Sequence, residues 1–275
     1  MKREKKDKGF RHVEHRRAVT TVYVLLRVAV IAMMVAQFFD GNYENVFLCG
    51  LTLILFTMPA LIERRLRVDL PDTLEIIILL FIFAAEILGE IRAYYVKFEH
   101  WDTMLHTMNG FLCAAIGFSL VDLLNRQKKE SLRLSPFYMA VTAFCFSMTI
   151  GVLWEFAEFT MDQLFLMDTQ KDTVIHAFST VMLDPTNQNV AVPVRDIADV
   201  IIVHSDGTQQ ALGLGGYVDV GIHDTIEDLF VNFIGAVVFS AVGYFYVKSR
   251  GKGRFARRFI PQVVEEKAGE KEEQT

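Results

Sequence analysis

Apolar residues in this chain fall into six long runs, at roughly 18–39, 45–62, 73–96, 102–124, 136–154 and 224–247, separated by short polar connectors. A helix needs about 20 apolar residues to cross a bilayer, within a range of about 17 to 25. Each run is therefore read as a membrane span. The first is too long for a signal-peptide core of about 7 to 15 residues, and it stays as a span. The connectors then fix an orientation. Bases crowd the segment before Arg17, the stretch Glu63-Arg-Arg-Leu-Arg67, the stretch from Asn125 through Lys129 to Arg133, and the stretch from Lys248 to Arg258. The alternate connectors are poor in bases: Asp40–Glu44 has none, and the long segment 163–223 has only Lys171 and Arg195. Placing the basic connectors inside satisfies every connector at once.

The expected architecture is an all-α, polytopic membrane bundle of six transmembrane helices in the cell membrane, with both termini cytoplasmic. A basic tail spans 1–17, the membrane domain 18–247 and a charged tail 248–275, whose end from Glu265 to Thr275 is polar and charged apart from Ala268 and Gly269. Segment 163–223 lies outside. Within it Thr173–Leu183 has helical periodicity, which predicts a helix on the membrane surface. Asp199–His204 and Thr208–Leu214 flank Asp206-Gly207, a β-hairpin signal in a small extracytoplasmic insertion.

Composition agrees. With 52% hydrophobic residues, 23 Phe and a mean hydropathy of +0.29, the chain is too apolar for an ordinary soluble domain. The net charge of -5 is split between basic and acidic connectors, and a nucleic-acid partner is excluded on that distribution. Cys49, Cys113 and Cys145 all lie inside apolar runs without metal-ligand or disulfide spacing, and they read as small buried hydrophobes.

Polar residues inside the spans carry the chemistry. On the fifth span Ser147, Gly151, Glu155, Glu158 and Asp162 step by four, four, three and four residues, one face of a helix. The fourth span presents Asp102, His106, Asn109, Cys113 and Gly117 on one stripe, and the sixth presents Asp224, Asp228, Asn232 and Gly235. Glu86 and Glu90 sit one turn apart on the third. At about 1.5 Å rise per residue, His106 and Asp228 lie about 6 Å inside their helix starts and Asn232 about 12 Å, the last comparable to Glu155 beneath Asp162. Asp102 and Asp224 each open a helix, and Asp224 with Glu227 fits a capping box. The glycines Gly117, Gly151 and Gly235 continue the stripes inward and allow close packing.

Three groups of these residues resemble the YjdF-like family of bacterial inner-membrane proteins, a membrane domain of unknown function, and more distantly the VanZ-like proteins. They are Asp102 and His106 followed by Gly110; Trp154-Glu155-x-x-Glu158 with Asp162; and Asp224-Thr225-x-x-Asp228 with Asn232 and Gly235-Ala236. The resemblance covers roughly residues 70–247, implies no reaction, and makes 184–217 an insertion relative to the shortest relatives.

An ionised group at membrane depth costs about 2.5 to 3.5 kcal/mol. Glu155, Glu158, Asp162, Asp224 and Asp228 therefore require protons or a cation. Carboxylates with one imidazole suit Zn, Mn, Fe or Mg, with His106, Glu155, Glu158 and Asp228 as the metal set. Asp102, Asp162, Asp224, Asn109 and Asn232 complete the cluster. The function expected is a metal-dependent enzyme acting on a lipid or lipid-linked envelope substrate. The alternatives are a proton- or cation-coupled transporter, and a non-catalytic envelope membrane protein whose cluster fixes helix packing.

Overall fold

A computed structural model of the chain describes residues 2–66, 68–126, 134–249, 255–260 and 262–263. Lys128, Lys129 and Arg133 of one expected basic connector lie outside these, as do Arg250, Lys252 and Arg254 and the polar end 264–275. The order of helices is α1 (Lys2–Phe39), α2 (Tyr43–Leu55), α3 (Met58–Leu66), α4 (Asp72–Ile82), a π-helical segment Phe83–Ile91, α5 (Tyr94–Lys97), α6 (Trp101–Arg126), α7 (Pro136–Phe165) and α8 (Ile222–Lys248). Eight short strands accompany them: β1 (Val68–Asp69), β2 (Val174–Ile175), β3 (Phe178–Thr180), β4 (Val192–Val194), β5 (Ile201–Val203), β6 (Gln209–Ala211), β7 (Tyr217–Val218) and β8 (Gln262–Val263).

Among the described residues five helical stretches are long and apolar enough to cross a membrane: Arg17–Phe39, Tyr43–Arg65, Trp101–Asn125, Pro136–Phe165 and Ile222–Lys248. The run expected at 73–96 differs in form. Its α-helical part, α4, has only 11 residues before the hydrogen bonding changes to π. The π segment ends where Arg92 N–H reaches Ile87 O and Ala93 takes a left-handed φ of 54°.

Two compact units divide the chain, Met1–Gly151 with Val231–Thr275, and Val152–Phe230. In the first, Val30, Cys49, Phe56, Leu79 and Ile87 form one buried cluster, and Leu74, Phe118, Met139 and Phe239 belong to a second. The stretch from Tyr43 to Arg65 breaks between α2 and α3, just ahead of Pro59, because proline has no N–H and its ring crowds the preceding turn. At the break Thr57 N–H bonds to Ile54 O, three residues back rather than four. The Leu53 carbonyl accepts instead from Arg27 Nη2 at 3.3 Å, while the guanidinium lies 4.7 Å from the Tyr23 ring centroid. A base in the middle of the first span is thus used to satisfy a broken helix, as backbone at membrane depth requires.

Within the stretch expected as a charged C-terminal tail, Phe255–Ile260 is seated in the first unit. Ala256, Phe259 and Ile260 are buried, and β8 pairs antiparallel with β1. Of the cysteines, Cys49 is buried as expected and Cys113 half-buried, but Cys145 is exposed, because it falls on the outer face of α7 opposite Ser147.

In the second unit the expected surface helix Thr173–Leu183 is not helical. Thr173, Val174, Ile175, Thr180 and Val181 are β-branched, and tertiary pairing overrides the apolar period. Val174 and Ile175 pair with Val218 and Tyr217, and Phe178–Thr180 pairs with Val192–Val194. The fold is therefore mostly helical with small strand pieces rather than purely α. β5 and β6 pair antiparallel across Asp206-Gly207, where Gly207 takes a φ of +85° and Asp206 accepts from Thr208 N and Oγ1.

Candidate functional site

The first unit contains a polar layer in which α6, α7 and α8 interlock. Ser147 is fully buried and its hydroxyl donates to Gly110 O at 2.8 Å. Asn232, also fully buried, accepts from Asn109 Nδ2 at 3.2 Å and donates to Met148 Sδ at 3.6 Å. Cys113 Sγ donates to Asn109 Oδ1 at 3.4 Å. Glycine makes this approach feasible. A Cβ on Gly110 would lie 2.1 Å from Asn232 O, one on Gly235 2.1 Å from Thr107 O, and one on Gly151 2.7 Å from Asn232 Nδ2. These are contacts of backbone or amide on backbone, the small-residue packing that substitutes for hydrophobic drive inside a bilayer.

One turn nearer the start of α6, His106 is buried and its Nε2 lies 3.5 Å from Asp102 Oδ1. Asp102 sits in the first turn of α6, which begins at Trp101; it is inside the helix rather than its cap, and its charge complements the helix N-terminus. A carboxylate against an imidazole fixes the ring's orientation and favours the tautomer with a proton on that nitrogen.

In the second unit Glu155 and Asp228 are buried, on α7 and α8 respectively, and Glu158 is half-buried. The remaining two predicted acids have found backbone partners. Asp162 accepts from Thr169 N at 2.7 Å, Thr169 Oγ1 at 2.6 Å and Gln170 N at 2.9 Å; Asp224 accepts from Lys171 N at 2.8 Å. Thr169 Oγ1 is also 3.0 Å from Glu158 O, and Gln170 Nε2 donates to Thr225 Oγ1. Residues 169–171 thus form a strap held by one carboxylate from α7 and one from α8. Gly221, with a φ of +81°, lets the strap close: a Cβ there would lie 2.6 Å from Gln170 Cβ.

The capping role expected of Asp224 belongs instead to Asp219, which accepts from Thr173 N at 2.8 Å, Gly221 N at 3.3 Å, His223 N at 2.9 Å and the His223 ring. Asp219 precedes the helix by three residues and carries no capping-box spacing, and sequence reading passes over it. Asp184 was likewise missed. Its carboxylate gathers Thr186 Oγ1 at 2.6 Å, Thr186 N at 2.8 Å, Gln188 N at 2.9 Å and Val190 N at 3.0 Å. The Thr186 hydroxyl first, then these amides, hold its pKa down at about 2. A depressed acid contributes stability that is present above its ordinary pKa, about 3.9, and is lost as pH falls through the folded value. Amide shifts of Thr186, Gln188 and Val190 should therefore hold steady down to pH 4 and move together with a midpoint near 2. A midpoint near 4 would show the carboxylate is not engaged.

The chain belongs to the family described as predicted membrane protein DUF2238, which it matches over residues 21–249. An uncharacterized protein of Thermotoga maritima is 24% identical over 106 residues, 38% of this chain. The chain spans about half, 53%, of the length of that relative. No solved structure matches.

Proposed function

We propose that this membrane protein crosses the bilayer six times with both termini in the cytoplasm, and that His106, Glu155, Glu158 and Asp228 hold a divalent metal for chemistry on a lipid or lipid-linked substrate. The α4–π run supplies the sixth crossing. Charge asymmetry of the connectors supports the orientation, and the motif resemblance to YjdF-like and VanZ-like proteins fits the same arrangement. A cysteine placed at Thr208 should be labelled from outside intact cells, and one at Lys128 should not. The reverse pattern inverts the topology.

The interlocked layer of Asn109, Ser147 and Asn232 is the observation that carries the metal reading. Successive contacts run parallel between α6 and α8, Gly110 to Asn232 and Gly243 to Phe118, and antiparallel between α6 and α7, Asn125 to Met139 and Gly110 to Ser147. Helical period then repeats each face one turn on from Gly110 at His106 on α6, from Gly151 at Glu155 on α7 and from Asn232 at Asp228 on α8. On the proposed reading, continuing the three helices in this way would bring an imidazole and at least two carboxylates to one level. Buried carboxylates at that level need a counter-charge.

The donor chemistry fits a hard or borderline cation, Zn, Mn, Fe or Mg, better than a soft one. Asp102 would orient His106 from behind, a role carboxylates commonly play toward metal-bound imidazoles. A metal bound there would polarise a phosphoryl or carbonyl oxygen or acidify a water. The strap at 169–171 would hold the ends of α7 and α8 in place beside it. Detergent-purified protein should retain roughly one divalent metal per chain after desalting, as a filled set of ligands with an open position requires. Glu158→Gln should lose it while remaining monodisperse. Wild-type protein free of metal would leave the acids neutralised by protons and put the transporter or structural reading ahead.

A further inference from the structure

Beyond the polar layer from His106, the segment Phe255–Ile260 is seated in the first unit as a plug. Phe255–Ile260 forms a short 3-10 turn, with Phe259 N–H bonded to Ala256 O at 3.0 Å and Arg258 N–H to Phe255 O at 3.0 Å. Its apolar side chains turn inward: Ala256 is 4% exposed, Phe259 7% and Ile260 0%. They share a core cluster with Leu70 and Leu74 at the start of the third span and with Phe118 and Phe239. The Phe259 ring centroid is 5.0 Å from that of Phe111 and 6.5 Å from that of Phe239, both edge-on. Phe111 follows Gly110, whose carbonyl takes the Ser147 hydroxyl. The plug therefore stacks directly against the residue next to the polar layer. Arg257 and Arg258 stay exposed, and β8 ties the segment to β1.

Three features distinguish this from an ordinary packed terminus. The segment is not a spanning helix, so its removal takes away none of the five long helices. It carries only three inward apolar groups, with the exposed bases Arg257 and Arg258 between them. What it covers is the face of α6 and α8 that leads, without a charged residue between, to Asn109 and Asn232. We propose that residues 255–260 are a built-in seal, which closes the bundle just beyond the polar layer, on the side away from His106, and makes that layer accessible from one side only. A reaction chamber needs one opening; a through-path would need this segment to leave. The seal stands on the packing of the first unit and does not depend on whether the carboxylates hold a metal.

Ala236 supplies a reporter, being fully buried on α8 about one turn before Phe239 and in the same core cluster as Phe259 and Ile260. In a full-length protein with Cys49, Cys113 and Cys145 replaced by alanine, Ala236→Cys should react slowly with a small maleimide in detergent. Adding Phe259→Ala and Ile260→Ala should speed that reaction about tenfold or more, because local opening then no longer has to expel two packed side chains. Gel filtration and circular dichroism establish that the variant is folded. An unchanged rate in folded protein overturns the seal. Should the double variant fail to fold, hydrogen exchange on the unmodified chain decides: protection of the Arg258 and Phe259 amides supports a seated plug, and exchange at the speed of a free peptide overturns it.

Discussion

Gly110→Ala or Gly235→Ala should be among the most damaging single substitutions in the chain, although each adds one methyl group. The new Cβ would meet Asn232 O or Thr107 O at 2.1 Å, more than an ångström inside ordinary contact. Neither partner is a flexible side-chain end that can swing away; both are helix backbone. Relief requires α6 and α8 to separate, which stretches the Asn109–Asn232 bond and shifts Gly110 O from Ser147. Overpacking of this kind costs about 3 kcal/mol and occasionally more, and two broken polar contacts at membrane depth add to it. At roughly 2 to 4 °C per kcal/mol for a chain of this size, the midpoint of thermal unfolding should fall by about 10 °C. Gly50→Ala is the matched control. A Cβ at Gly50 in α2 meets nothing within 4 Å, so that change should be neutral or stabilising by about 0.5 to 1 kcal/mol. Equal behaviour of the three variants would mean that the close approach of α6 and α8 is not what holds this layer together.

The same layer marks how far the sequence could be read. Helical period alone places Asn109, Ser147, Gly151, Asn232 and Gly235 on facing stripes, since a polar or small residue inside an apolar run has few places to go. Apolar length alone locates the long helices. What the period cannot carry is the partner of a polar atom when that partner is backbone from a distant loop. Helical period puts Asp162 and Asp224 on the polar stripes, and both also accept from the amides of residues 169–171, which sequence marks only as a polar stretch. Asp219 caps α8 from outside the usual spacing. Thr173–Leu183 shows a helix-like period and forms strands, because cross-strand pairing to Tyr217 and Val192 outweighs a weak local preference. The π segment and the return of Phe259 and Ile260 into the core depend on packing at long range, and no local signal announces either.

Addition of Zn, Mn or Mg to metal-free wild-type protein should raise its unfolding midpoint, whereas Glu158→Gln should show no response. A ligand present at 100 times its dissociation constant stabilises the folded state by about 2.7 kcal/mol. At the same roughly 2 to 4 °C per kcal/mol this is a rise of about 5 to 11 °C, large enough to read in detergent. The metal-free comparison has the opposite sign. If Glu155, Glu158 and Asp228 share the proposed site, they oppose one another when no cation is bound, and replacing one carboxylate by an amide of the same shape removes part of that repulsion. Metal-free Glu158→Gln should therefore be as stable as metal-free wild type or more so, even though it has lost a carboxylate from a polar face. A residue kept only for packing or for a salt bridge predicts the reverse, since its removal would destabilise in every condition and would not change the response to metal. The crossing of the two effects, wild type below the variant without metal and above it with metal, is what a site strained for binding produces. If wild type and Glu158→Gln keep the same order with and without metal, the four residues do not form a metal centre, and their acids serve the bundle through protons and neighbouring donors alone.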